Sequence, residues 1–164
     1  MKITLKKIAP LLVLIVFILF GFSTKTESTQ YKCMIQMTNY SGEGACIIIS
    51  LLNPNGKYEK TLRVLGDDEK WYHDIHEWWN FHEQKQANID AITGATIAGG
   101  ERSINVIEIE PSKIDTGYKL RFETAVEDQE YYKNDIEFEL TSQMLQRKVE
   151  GHGFIRYIRI MPKK

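Results

Sequence analysis

This chain has little from which to build a covalent or catalytic framework. Its 164 residues include two cysteines, Cys33 and Cys46, and no Cys-x-x-Cys pair exists to lower a thiol pKa. No Gly-x-Ser-x-Gly elbow, Ser-His-Asp order or phosphate-binding glycine-rich motif occurs, so hydrolase chemistry has no support. Basic residues are scattered, which leaves no footprint for a nucleic acid. No repeat or low-complexity tract is present. A Leu-x-x-Cys lipobox is also missing, because Gln30-Tyr31-Lys32 precedes Cys33. That argues against a lipoprotein.

The N-terminus has what an export signal needs. Lys2, Lys6 and Lys7 form a basic region, followed by an apolar run from Ile8 to Phe22 broken only by Pro10 and Gly21. The run is short for a spanning helix, and Gly21 and Ser23 offer small residues for cleavage after Ser23. A cleaved signal peptide over residues 1–23 is the better reading than an uncleaved anchor. The expected location is periplasmic or otherwise extracytoplasmic, with no membrane span left after cleavage. Losing those three lysines leaves 18 of the 21 basic residues against 22 acidic ones, a net charge of −4. Outside the cytosol a disulfide can persist. Cys33 and Cys46 lie on consecutive strand candidates, so a bridge would cross a hairpin, where directly facing partners rarely suit disulfide geometry. Pairing is left open.

Residues 24–29 read as a polar linker and 30–162 as a single domain. From Gln30 to Thr38, Tyr31, Cys33, Ile35 and Met37 alternate with Lys32, Met34, Gln36 and Thr38, the period of a strand with one buried face. A turn at Asn39–Gly44, an apolar strand at Ala45–Leu52, a turn at Asn53-Pro-Asn-Gly56 and a strand at Lys57–Leu65 complete an expected β-meander. Strand patterns resume at Arg102–Glu110, Tyr118–Val126, Asp135–Thr141 and Gly153–Ile160. The expected fold is mostly β: an immunoglobulin-like antiparallel sandwich of about seven strands with one inserted α-helix.

That helix is expected near 69–84, capped by Asp68. Trp71, Ile75, Trp78, Trp79 and His82 recur on it at helical spacing. The tryptophans either plug the end of the sandwich or, with Tyr72, cover a ligand. His73 and His76 could meet on one face, but His82 lies elsewhere around the helix, and zinc wants three or four converging ligands. No metal site is expected.

The most specific signal is Asp90-Ala-Ile-Thr-Gly-Ala-Thr96. It fits Asp-x-x-(Ser/Thr)-Gly-Ala-(Ser/Thr), which arises by chance in roughly one chain per thousand of this size. Glycines at 94, 99 and 100 argue against a regular helix or strand there. The plain reading is a glycine turn that closes the helical insertion onto the sheet. Asp90 could serve it by capping nearby amides.

The arrangement resembles the predicted periplasmic proteins grouped as domain of unknown function 2271. The matching pieces are Asn53-Pro-Asn-Gly56, Lys60-Thr-Leu-Arg-Val-Leu65, Lys70-Trp71, Trp78-Trp79, Asp90–Thr96 and Gly117–Glu123, spanning about residues 30 to 135. Where members often place prolines before the glycine, this chain has Ile97-Ala98-Gly99-Gly100. The resemblance implies an immunoglobulin-like sandwich and no established activity.

The Asp90–Thr96 motif also resembles the modification site of FMN-binding subunits in sodium-pumping and electron-transferring membrane complexes. There an exported FAD:protein FMN transferase moves FMN onto a threonine hydroxyl. By that resemblance Thr96 is the acceptor, Asp90 a recognition or metal-approach residue, and Thr93 a loop-stabilising hydroxyl. Gly94 then permits close approach of the transferase, and Ala95 avoids a clash with the incoming FMN. The expected function is an exported carrier with FMN on Thr96, without catalysis of its own, exchanging electrons with envelope redox proteins. The alternative is a cofactor-free immunoglobulin-like binding or assembly module.

Overall fold

The computed structural model describes residues 27–66 and 68–163. The basic region, the apolar run, the Ser23 cleavage site and residues 24–26 of the linker lie outside the described residues.

Among the described residues nine strands form two sheets. The first holds β1 (Thr29–Met37), β5 (Arg102–Ile109), β8 (Lys148–Glu150) and β9 (Ile155–Pro162), in the order β5-β1-β9-β8. The second holds β2 (Cys46–Leu52), β3 (Tyr58–Leu65), β4 (Thr93–Gly94), β6 (Lys119–Ala125) and β7 (Tyr131–Glu139), in the order β4-β3-β2-β6-β7. All pairings are antiparallel except that of β3 with β4. The fold is mostly β and sandwich-like, as expected.

Alternation decides which face of β1 goes inward. Tyr31, Cys33, Ile35 and Met37 are buried and meet Ile47, Ile49, Leu51, Leu120 and Phe122 from the other sheet in one core. The expected meander is corrected here. β1 pairs with β5 and β9, while β2 pairs with β3 and β6 in the opposite sheet. The physical reason is burial. β1 has one apolar face and suits a sheet with a wet side, whereas β2 is buried at every position and needs cover on both faces. No hairpin joins the cysteines: Cys33 sits in the inter-sheet core, Cys46 packs on the outer face of its sheet, and both are free thiols.

The helical insertion supplies that outer cover. Tyr72, Ile75 and Trp78 pack with Cys46, Ile48, Val64 and Ala125 in a second apolar cluster. The expected single helix is two pieces: a 3-10 segment Glu69–Asp74, a break at Ile75 (φ −93°, ψ 70°), and α1 (His76–Lys85). Asp68 caps the first piece by accepting from the Lys70 amide at 3.2 Å. Trp78 therefore lies over the sheet rather than plugging its end, and its Nε1 donates to Thr61 Oγ1 at 2.9 Å.

The chain returns along the free edge of β3. Thr93 and Gly94 pair in parallel with Val64 and Leu65, and the Gly66 amide donates to the Gly94 carbonyl at 2.7 Å. The expectation of no strand in this stretch is thus corrected; an unpaired edge beside the returning chain is enough to order two residues. Among the described residues no helix is long and apolar enough to cross a membrane.

Candidate functional site

The Asp90–Thr96 segment is fastened at both ends. At the first, Ile89 is buried, Asn88 Oδ1 accepts from the Asp90 amide at 2.9 Å, and Thr93 Oγ1 donates to the Ile89 carbonyl at 2.9 Å. At the second, Ile97 is buried and bridges Ala45, with N–H···O distances of 2.8 and 3.2 Å. The Tyr40 hydroxyl clamps the same bridge: it donates to the Ile97 carbonyl at 2.6 Å and accepts from the Ala45 amide at 2.8 Å. Between the paired Gly94 and the bridged Ile97, Ala95 and Thr96 are exposed.

Two glycines are approached closely by neighbouring side chains. A Cβ on Gly44 would stand 2.3 Å from Thr96 Oγ1, so only glycine leaves room for the hydroxyl there. A Cβ on Gly94 would stand 2.8 Å from Nη2 of Arg63, whose guanidinium lies across that backbone. The Arg63 Nε is buried and has no hydrogen-bond acceptor among the described residues.

Thr96 stands on a ridge between two depressions. On one side is a cleft of about 180 Å³ lined by Gly44, Cys46, Trp71 and Ala125, with the carboxylates of Glu43, Asp68, Asp74 and Glu127 around it. Past Trp71 and Glu127 the surface opens into a groove of about 490 Å³ that reaches Tyr131. On the other side is a groove of about 240 Å³ lined by Arg63, Gly94, Arg102 and Asn105, with Glu101 at its margin. The structure places Asp90 elsewhere. With Thr93, Gly94 and Ala95 it lines a third depression, beside Glu69 and Tyr72, to which Thr96 does not contribute. Among the described residues the Asp90 carboxylate caps no amide and accepts only from the Asn88 side chain, at 3.3 Å. Asn88 does the capping.

Charge differs across the ridge. A hydrogen bond from Lys70 holds the exposed Asp68 carboxyl below its usual range. Burial pushes the Cys46 thiol up to about 12, so the one sulfur in the cleft is no nucleophile at neutral pH. Trp71 is the only one of the three tryptophans that reaches this cleft. Trp79 is half-buried and tilted against Tyr72 and Trp78, and Tyr72 stands edge-on to Trp78 with centroids 5.3 Å apart.

The histidines disperse. His73 faces Asp74 at 3.3 Å, His76 lies edge-on to Tyr131, and His82 stacks on Trp78 with centroids 4.9 Å apart. Among the described residues no three His, Cys, Asp or Glu side chains converge as a metal would need.

Sequence reasoning missed Arg63, Tyr40 and Asn88. A long cation inside the strand pattern Leu62-Arg63-Val64-Leu65 was a readable signal; the clamp by Tyr40, fifty-seven residues from Ile97, was not. It also missed Glu123, a fully buried carboxyl on β6 that accepts from Tyr58 at 2.7 Å and from Tyr131 at 2.5 Å.

Residues 28–157 match the family described as predicted periplasmic protein (DUF2271), and the chain belongs to that family. No curated protein and no solved structure matches it.

Proposed function

We propose that this predicted periplasmic protein is a covalent flavin carrier, with Thr96 bearing FMN through a phosphoester. The observation that supports the reading is the placement of Thr96: an exposed hydroxyl side chain on a ridge fixed at Gly94 and Ile97, at the lip of a cleft that also presents Trp71. A partner enzyme can reach such a hydroxyl without unfolding the loop.

The residues present fit the group. Gly44 leaves space at the acceptor oxygen, and Trp71 offers a half-exposed indole on which an isoalloxazine could stack. The cleft is too small to enclose the ring system, which suits a carrier that must expose it to donors and acceptors. When bound, FMN would supply reversible two-electron chemistry. The chain's own part is to offer the hydroxyl. In the attachment step the Thr96 Oγ–P bond forms as the P–O bond joining FMN to AMP in FAD breaks. AMP leaves with the electron pair, and the hydroxyl proton passes to a base of the FAD:protein FMN transferase. Envelope redox proteins would then be the electron donor and acceptor.

Mass spectrometry of protein co-expressed with such a transferase tests the reading. The expected gain is one FMN less one water, lost in Thr96→Val and retained in Thr93→Val, whose hydroxyl is committed to the Ile89 carbonyl. No gain in the wild type, or a gain that survives Thr96→Val, refutes it.

A cofactor-free binding module is the second reading, favoured by one observation. Ile104, Val106 and Met161 are exposed at 61%, 37% and 42% on the first sheet, an apolar surface the carrier reading does not use.

A further inference from the structure

The Arg63 groove is unexplained by folding alone. A guanidinium with a buried Nε normally finds an acceptor, because an unpaired buried donor on a charged group loses its hydration with nothing in return. Arg63 has none among the described residues. Its Nη2 lies against Gly94, 2.8 Å from where a Cβ on that residue would stand. Arg102, also lining the groove, is braced from outside: its Nε donates to Gln36 Oε1 at 3.0 Å and its Nη2 to the Tyr157 hydroxyl at 3.4 Å. Glu101 is turned to the loop, its Oε2 accepting from the Ala98 amide at 3.3 Å. Two arginines against one glutamate leave the groove with a net charge of about +1, which matches the single charge of a phosphodiester. The other flank of Thr96 carries four carboxylates, which would repel the same group.

We infer that the groove formed by Arg63, Gly94 and Arg102 is a phosphate-ester site that seats the phosphodiester linking Thr96 to its flavin. Charge then sorts the two ends of the cofactor. The anionic link lies on the arginine flank, and the uncharged ring system lies over Trp71 on the carboxylate flank. Arg63 is a positioning residue: it donates to a phosphoryl oxygen and fixes the direction in which the tether leaves Thr96. The inference about the link rests on the Thr96 reading, whereas the anion affinity of the groove does not.

Two measurements separate the two. In flavin-free protein, titration with inorganic phosphate at constant ionic strength should shift the Arg63 Nε–H resonance in the NMR spectrum. The apparent affinity should fall at least tenfold in Arg63→Met and be partly kept in Arg63→Lys, with amide spectra showing both variants folded. In transferase-loaded protein, the ³¹P resonance of the phosphodiester should move in Arg63→Met toward that of a free diester, and back in Arg63→Lys. An Arg63 resonance unmoved by phosphate overturns the site. A ³¹P resonance identical in wild type and Arg63→Met overturns its role at the link. A wild type that gains no flavin mass refutes the Thr96 reading instead, and the phosphate titration then decides the groove by itself.

Discussion

Replacing Trp78 by alanine tests most directly how the helical insertion packs on the second sheet. Trp78 is fully buried beneath α1, edge-on to Tyr72 and stacked with His82. A tryptophan of this kind removes roughly 200 Å² from water, which at about 25 cal/mol per Å² is about 5 kcal/mol. Alanine keeps part of that and the insertion relaxes partly into the gap, so the expected loss is about 3–5 kcal/mol. The broken bond to Thr61 adds little, because Thr61 is only half-buried and can turn to water. In a domain of this size the loss corresponds to a Tm lower by about 8–15 °C. Trp71→Ala is the internal control. That ring is half-exposed, its cation–π contact with the exposed Lys70 spans 5.0 Å, and its removal should cost under about 0.5 kcal/mol. Urea denaturation followed by far-UV circular dichroism gives both values. A loss below about 1 kcal/mol for Trp78→Ala, or a larger loss at Trp71, would refute the assignment of which indole is structural and which is free for a ligand.

Four further outcomes are expected. Burial raises the Glu123 carboxyl above its ordinary 4.5, against the opposing pull of Tyr131 and Tyr58; the folded state then binds that proton more tightly than the unfolded one, so the stability it contributes is present at low pH and lost as pH rises from 4.5 through the raised value. Glu123→Gln should flatten that decline, and denaturation curves taken between about pH 4 and 8 would show otherwise if the two proteins lose stability in parallel. Asp135 is fully buried on β7 and accepts from Thr124 Oγ1 at 2.7 Å and from the Gly153 and Ile155 amides at 2.8 and 2.9 Å, tying the second sheet to the turn before β9; Asp135→Ala should cost about 3 kcal/mol or more in the same assay, and a near-neutral change would show the tie to be replaceable. Cys33 and Cys46, both pushed up to about 12 by burial, should resist a disulfide-exchange reagent at neutral pH until denaturant is added, and rapid labelling of the native protein would contradict their placement. Gly44→Ala should turn the Thr96 side chain away and slow flavin attachment at least tenfold while the fold survives; unchanged loading kinetics would show that the hydroxyl needs no such space.

The sequence by itself determined the seven longer strands and the motif, but not the short β4 and β8. Alternation over Tyr31–Met37 set which face of β1 turns inward, and the turn at Asn53–Gly56, where Asn53 Oδ1 accepts from the amides of Asn55 and Lys57, set the β2–β3 hairpin. These are local decisions, made by side chains two to four residues apart. Tertiary structure alone decided which sheet each strand joins, since a pattern of period two records how many faces are buried but not by what. The uniformly apolar β2 was legible as a strand. Its place at the centre of the second sheet became visible only with the helical insertion laid over Ile48. The site divides in the same way. Thr96 and its neighbours stand in one heptapeptide that could be read directly. Arg63, Trp71, Gly44 and Tyr40 come to Thr96 and the adjoining Ile97 from β3, the 3-10 segment and the single loop between β1 and β2. Contacts at such separations depend on how the sheets stack, which no short window of sequence records.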